Sequence, residues 1–424
     1  MLITRVAVPA LGALLALALA VPVQAQTSGA LTLAQAVQRA LGANARLIVA
    51  DREIGMAEGR RTQAGAIPNP SATFEVDNAL GSRDYRRFKS AETTLQLSQL
   101  IELGGKRSAR VAAATADHDS TRWQREAARL EILSETAAAF VAVLGGQQRV
   151  ALLDRQLSSI DRLTPQMQQR VDAGASSPAD VARTKVVTEL TRIDRDRARK
   201  ALDSARRDLA LLMGATAPDF PYTTGNMARI AAPPPFPTLL QAIDSNPQLT
   251  RWTAVRAQKE AELLIARLKV VPDVEASIGW RHYRDTRDNA VRFGISVPIP
   301  VWDRNRGAIY EAQEAIGKTE AERAANKQAL ISTVGRAYDA ATGALQEIDV
   351  LRRAVLPNAR AAFTTINDGY AQGRFTVLEL LDAYKALAEA ELREQEALVS
   401  FHTAIATIEG LTGSPLTLGG GRTP

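Results

Sequence analysis

The chain contains no cysteine, which excludes a disulfide framework and a thiolate metal site and leaves no residue to carry a lipid anchor. Histidine is almost as scarce. His118, His282 and His402 lie far apart, which argues against a histidine metal centre and marks them as solvated or interface residues. Aromatic residues make up only 5% of the chain, and the five methionines are dispersed. After the N-terminal stretch there is no apolar run of about 18 residues, so no ordinary helical membrane span is expected. A phosphate-cradling loop is missing as well: Gly104-Gly105-Lys106 lacks the upstream glycine, and Ser108 falls one place too late. No catalytic constellation emerges, and we expect neither enzyme activity nor a cofactor. The charge excess is small, 52 Lys plus Arg against 46 Asp plus Glu. It is also interleaved, as in residues 192–199, which describes a solvated helix face rather than a nucleic-acid surface.

What is present is written twice. Leu33, Gln35, Ala36 and Val37 return as Leu239, Gln241, Ala242 and Ile243. Leu97, Ser98, Ile101 and Leu103 return as Ile295, Ser296, Ile299 and Val301, and Gly174, Ala198, Ala205, Leu212 and Gly214 as Gly373, Ala397, Ala404, Leu411 and Gly413. A duplication with a period of about 200 residues predicts one pseudo-symmetric body. Residues 1–25, with Arg5, an apolar stretch and the small-residue site Val23-Gln24-Ala25, read as an export signal. Residues 26–214 form the first repeat, 215–237 a proline-rich connector, 238–413 the second repeat, and 414–424 a flexible tail.

Within each repeat the period changes in the same order. Residues 33–67 are helical, with Thr32 as cap and Pro68 as stop. The period then becomes two over residues 71–80 and 92–103, and again over 273–283 and 290–300. Phe74, Val76, Leu95, Leu97, Ile278, Trp280, Phe293 and Ile295 fall on one face, and Glu75, Asp77, Gln96, Glu275 and Arg292 on the other. Strands of about ten residues suit either a half-buried soluble sheet or a membrane barrel. Four strands cannot close a barrel, since a filled interior needs about eight, so several chains must pool their strands.

Long helical runs follow, 106–171 and 304–369, each reaching about 100 Å if continuous. Gly145-Gly146, Pro165, Gly343 and Pro357 interrupt them, with kinks expected at the prolines. Glycine turns at Gly174 and Gly373 send the chain back through shorter helices, 178–213 and 376–412. Helices 44–67 and 247–271 supply the missing length, so two short helices end to end should match one long one. Just past the second turn, Glu379 and Asp382 share a helix face, and the first copy has Asp180 and Arg183 at the same offsets. Ordinary surface charge accounts for such acids; around an axis, identical acids would instead form a ring at the narrow end.

This order, duplicated behind an export signal, resembles the TolC-like outer-membrane efflux channels across essentially the whole mature chain. Glu102-Leu103-Gly104-Gly105-Lys106 and Val297-Pro298-Ile299-Pro300-Val301-Trp302-Asp303 resemble the cobalt-zinc-cadmium (CzcC-like) branch. The resemblance implies a mainly α fold with a small β part, assembled as a homotrimer with a 12-stranded outer-membrane barrel on an α-helical periplasmic tunnel. It implies tips around Arg170, Gly174, Gly373 and Arg374 that receive a periplasmic adaptor protein, and a gate drawn from Glu379, Asp382, Asp180 and Arg183. It also implies an inner-membrane proton-driven pump of the RND type. The polar strand face would line the lumen, the apolar face would meet outer-membrane lipid, and the chain would act as a passive exit duct for heavy-metal cations or drugs. A type I protein-secretion exit uses the same duct; an elongated periplasmic scaffold without a pore is the rival of another class.

Overall fold

Thr32 begins the first helix as expected, accepting the Gln35 N–H at 3.3 Å while the Gln35 side chain returns a bond to the Thr32 N–H. The computed structural model describes residues 29–413; the export-signal reading of residues 1–25 and the tail 414–424 lie outside them. The first copy consists of α1 (Leu33–Ala43), α2 (Ala45–Ala64), β1 (Ser71–Asp77), β2 (Glu92–Ile101), α3 (Lys106–Asp172) and α4 (Pro178–Leu212). The second consists of α5 (Phe236–Ile243), α6 (Pro247–Leu268), β3 (Val274–Tyr283), β4 (Asn289–Ser296), α7 (Arg306–Val350), α8 (Leu356–Ala371) and α9 (Val377–Thr412). β1 stops short of its expected limit at the hairpin loop, and β2 and β4 stop short at their other ends, where the chain leaves the sheet toward α3 and α7. Among the described residues no helix is long and apolar enough to cross a membrane.

The expected single helix over 33–67 is broken at Asn44, whose backbone is extended (φ −67°, ψ 126°). The break is a joint. Asn44 Oδ1 accepts the Arg46 N–H at 2.9 Å, and its Nδ2 donates to Leu212 O at 2.8 Å, so one side chain caps the start of α2 and the end of α4. Asn246 repeats this in the second copy, accepting from Gln248 N at 2.7 Å and donating to Leu411 O at 2.7 Å. The four helix ends thus meet in two head-to-tail pairs, and α2 with 20 residues and α4 with 35 nearly match the 67 of α3. Both lie along α3; α6 and α9 lie along α3 and α7. Gly214 is required at the first joint, because a Cβ there would stand 2.4 Å from Ala43 O.

Gly145 does not interrupt α3. A Cβ there would lie 2.4 Å from Val399 Cγ2, so the missing side chain lets α9 approach, and Gly410 of α9 does the same against Ser134. α3 also runs unbroken through Pro165. Before Pro357 the helix widens into a π turn, Leu351–Val355, which accommodates the lost N–H and the ring between α7 and α8. α3 and α7 each follow a left-handed residue, Gly105 (φ 78°) and Asn305 (φ 54°).

The main core surrounds Phe140, Val143, Leu209, Ile243, Val334 and Phe401, and Phe220 and Met227 of the connector are buried in it. The connector is a strap rather than a loose linker. Leu31 and Thr223 form a parallel bridge, and Gln147 accepts the Thr223 N–H at 2.8 Å and donates to Thr223 O at 3.0 Å. His402 is buried, not solvated, with Nε2 2.9 Å from Met227 O; burial holds its pKa below the ordinary value, against the opposing pull of that carbonyl.

Asn44→Ala and Asn246→Ala each remove both bonds of a joint and are expected to cost about 1–2 kcal/mol. Urea unfolding of the detergent-solubilised protein checks this. Asn→Asp at either site, which keeps the acceptor and loses the donor, should fall between; wild-type midpoints for the alanine variants would refute the joint.

Candidate functional site

The four strands form one antiparallel sheet in the order β1-β2-β3-β4, so the two copies join through the β2–β3 ladder. The register aligns Phe74, Leu95, Trp280 and Val291 in one row and Ala72, Leu97, Ile278 and Phe293 in another. Val76 and Ile295 share this face. Its large side chains are exposed: Phe293 is 79% exposed, Ile295 78% and Phe74 69%. The opposite face carries Glu75, Asp77, Gln96, Glu275 and Arg292, and its Thr94 and Ser98 are 2% and 4% exposed. A soluble sheet has the reverse polarity. Small residues occupy the polar side at mid-strand. A Cβ on Gly294 would lie 2.6 Å from Ser277 Oγ, and one on Gly279 would lie 3.1 Å from Leu95 O.

Arg281 organises the polar face, a role the sequence reading missed. Its Nη1 donates to Glu92 Oε2 at 2.8 Å, its Nε donates to Thr94 Oγ1 at 2.9 Å, and Nη2 lies 3.6 Å from Asp77 Oδ2. Alternation placed Arg281 on this face, but the partners follow from the register across three strands. Where sheet meets helices, Asp273 Oδ1 accepts from Lys106 Nζ at 2.7 Å and from the Leu103 N–H at 3.1 Å, and Glu102 pairs with Arg110. The Glu102-to-Lys106 segment is therefore a clasp between the copies.

At the far end the two turns are built alike. Ala175 N donates to Arg170 O at 2.7 Å and Arg374 N to Gly369 O at 2.8 Å, with Gly174 (φ 68°) and Gly373 (φ 78°) in the left-handed position that closes each helix. Ser177 and Thr376 then cap α4 and α9 in reciprocal boxes with Asp180 and Glu379. These two acids thus occupy equivalent helix-capping positions. The Thr376 backbone N–H, and after it the Thr376 hydroxyl, hold the exposed Glu379 carboxyl below its ordinary range. Arg183 lies 3.5 Å from Asp180, whereas Asp382 is exposed and has no ion pair among the described residues.

Arg170 and Arg374 are used differently. Arg374 is exposed. Arg170 reaches across to the other copy: its Nη1 donates to Tyr370 O at 2.8 Å, and its guanidinium stands 4.8 Å from the Tyr370 ring centre. Tyr370 is buried with Met167, Val181 and Leu380 in a small core, and burial pushes its hydroxyl pKa up. Among the described residues no group of three or more His, Asp or Glu is placed to hold a metal ion.

A model of the family described as "Outer membrane efflux protein" matches the chain twice, over residues 36–215 and 238–414. The chain is similar to the cobalt-zinc-cadmium resistance protein CzcC of Cupriavidus metallidurans, with 29% identity over 92% of this chain and 91% of that protein. It is similar to the nickel and cobalt resistance protein CnrC of the same organism, at 25% identity over 67% of each. Among solved structures, the outer-membrane channel OprN superposes with a TM-score of 0.79 at 19% identity, covering 91% of this chain and 90% of that one. CusC superposes with a TM-score of 0.77 at 16% identity, covering 92% of each chain.

Leu97→Arg, at the middle of the open apolar face, should cost about 2–4 kcal/mol in a bilayer and reduce assembly, while Gln96→Arg on the opposite face should be tolerated. The yield of assembled protein in outer-membrane fractions decides between them; equal yields would refute the assignment of faces.

Proposed function

Since the chain belongs to the outer membrane efflux protein family and is an outer-membrane efflux channel, we propose that it works as the exit duct of a tripartite system that expels divalent heavy-metal cations. Three copies pool their strands into a twelve-stranded barrel, with Glu75, Asp77, Gln96, Glu275 and Arg292 toward the lumen and the apolar row toward lipid. The observation that carries this reading is a sheet with its apolar side chains exposed on one face, its polar side chains gathered on the other, and, among the described residues, no partner strand on the outer edges of β1 and β4. The tips around Gly174 and Gly373 meet a periplasmic adaptor, an inner-membrane proton-driven pump supplies the energy, and the duct performs no catalytic step. The metal cargo is supported by the names of two relatives, one tied to cobalt, zinc and cadmium resistance and the other to nickel and cobalt resistance. A cation passing this wall requires no resident binding site, since a duct must release what it carries.

The test is growth. In a host with pump and adaptor, restoring this chain to a deletion strain should raise tolerance to zinc, cobalt or cadmium. Tolerance raised only to lipophilic drugs would overturn the metal reading while leaving the duct intact.

Glu379 and Asp382, with Asp180 held by Arg183, form the acidic side of the proposed gate. Glu379→Gln keeps an acceptor for the cap, so Glu379→Gln/Asp382→Asn should preserve folding and reduce the cation-over-anion permeability ratio about twofold or more in planar bilayers. An unchanged ratio would return the pair to surface charge.

A further inference from the structure

We propose that the loop joining β1 to β2 is a docking surface for the phosphorylated glycolipid headgroups of the membrane's outer leaflet. This rests on the barrel reading, which puts both hairpin ends at the outer mouth, since β1 follows α2 and β2 runs into α3. Between Asn78 and Ala91 the chain carries Arg83, Arg86, Arg87 and Lys89 against one acid, Asp84. All four cations are exposed, and among the described residues none has a carboxylate partner. Elsewhere Arg281, Arg110 and Arg125 are paired with acids. The other hairpin loop balances Arg284 and Arg287 with Asp285 and Asp288, so the excess belongs to the first loop.

The loop is also built to hold its shape. Leu80 N donates to Arg87 O at 2.7 Å, Gly81 N to Tyr85 O at 2.8 Å, and Ser90 Oγ to Asp84 O at 2.8 Å. Arg83 and Arg87 sit in the left-handed region (φ 57° and 59°), a conformation non-glycine residues adopt only where their surroundings impose it. Interleaved with the cations are Leu80, 75% exposed, and Tyr85 and Phe88, each about half exposed. Guanidinium groups pair with phosphate oxygens in bidentate fashion, and aromatic rings settle at the boundary between headgroups and acyl chains. Free phosphate would satisfy the cations and leave the apolar side chains in water. A phosphorylated lipid satisfies both, and the apolar side chains continue the lipid-facing row of β1 and β2.

The experiment compares wild type with Arg83→Gln/Arg86→Gln/Arg87→Gln/Lys89→Gln for retention of lipid A by native mass spectrometry, after incubation of the detergent-purified protein with phosphatidylcholine vesicles with and without lipid A. Wild type should retain lipid A over phosphatidylcholine, resist millimolar inorganic phosphate, and lose at least about tenfold in retention in the variant. Arg86→Gln/Lys89→Gln leaves both left-handed positions intact and should show a smaller loss in the same direction, which keeps the test valid if the quadruple variant does not insert. Equal retention by wild type and both variants, or displacement by phosphate alone, would overturn the proposal. Bilayer conductance of the same preparations tests the barrel reading separately, because a conducting pore that ignores lipid A sinks only the docking surface.

Discussion

Everything in this molecule depends on a backbone constraint: hydrocarbon offers no hydrogen bonds, so a sheet that meets lipid must pair every strand. The sheet meets the apolar half of this condition, with an exposed apolar face, and leaves the edge half open, because among the described residues β1 and β4 each have an outer edge with no partner strand. The inner half of the ladder, β2 with β3, crosses the repeat boundary. The duplication therefore supplies the first inter-unit pairing covalently. In the proposed assembly the remaining pairing comes from other copies, and whatever rotation relates the sheets also relates the helices below them.

That coupling explains the attention given to length. Most of the stability of a helix in a protein comes from packing its apolar face, so α3 needs neighbours along its full extent. No other single helix of the first copy is long enough, so α4 and α2 share the task. Sharing creates two helix ends in the wall, with unpaired carbonyls on one and unpaired N–H groups on the other. An asparagine is suited to such a joint because its amide carries a donor and an acceptor on one short stem. The same chemistry at Asn44 and Asn246 keeps the wall continuous where the chain is not. The connector strap, anchored in the core by Phe220 and Met227, and the Asp273 clasp then hold the two copies together at the core and just below the sheet.

Much of this was legible because it is periodic. Alternation fixed the two faces of every strand, and helix lengths fixed the end-to-end pairing before any contact was known. A helix starting at Asn44 entered the length count, but the joint there was not legible, because apolar spacing continues across it and the carbonyl that Asn44 caps, Leu212 O, belongs to a distant helix end. Gly145 looked like a helix breaker since its partner Val399 lies far off in sequence. Arg281 and Arg170 were invisible as organisers for the same reason. The capping boxes are a different matter. Ser177 with Asp180 and Thr376 with Glu379 carry the local three-residue signature, so their capping role could have been read directly beside the electrostatic one.

The tips show how two copies of one motif come to do different things. Both end in the same glycine turn and the same capping box, so their backbones are interchangeable. The next turn differs. Arg183 lies beside Asp180, while the corresponding Asp382 joins Glu379 with no cation paired to either. Arg170, which reaches across to the second copy, is committed to the Tyr370 carbonyl and ring, while Arg374 of the second tip is exposed. Copies arranged around an axis place these charges at equal radius, so acid left uncompensated once in the chain recurs around the ring and its repulsion grows with each neighbour. Neutralising that repulsion, by a passing cation or by a basic partner, acts on the second tip more than on the first, because the first copy has Arg183 where the second has Asp382.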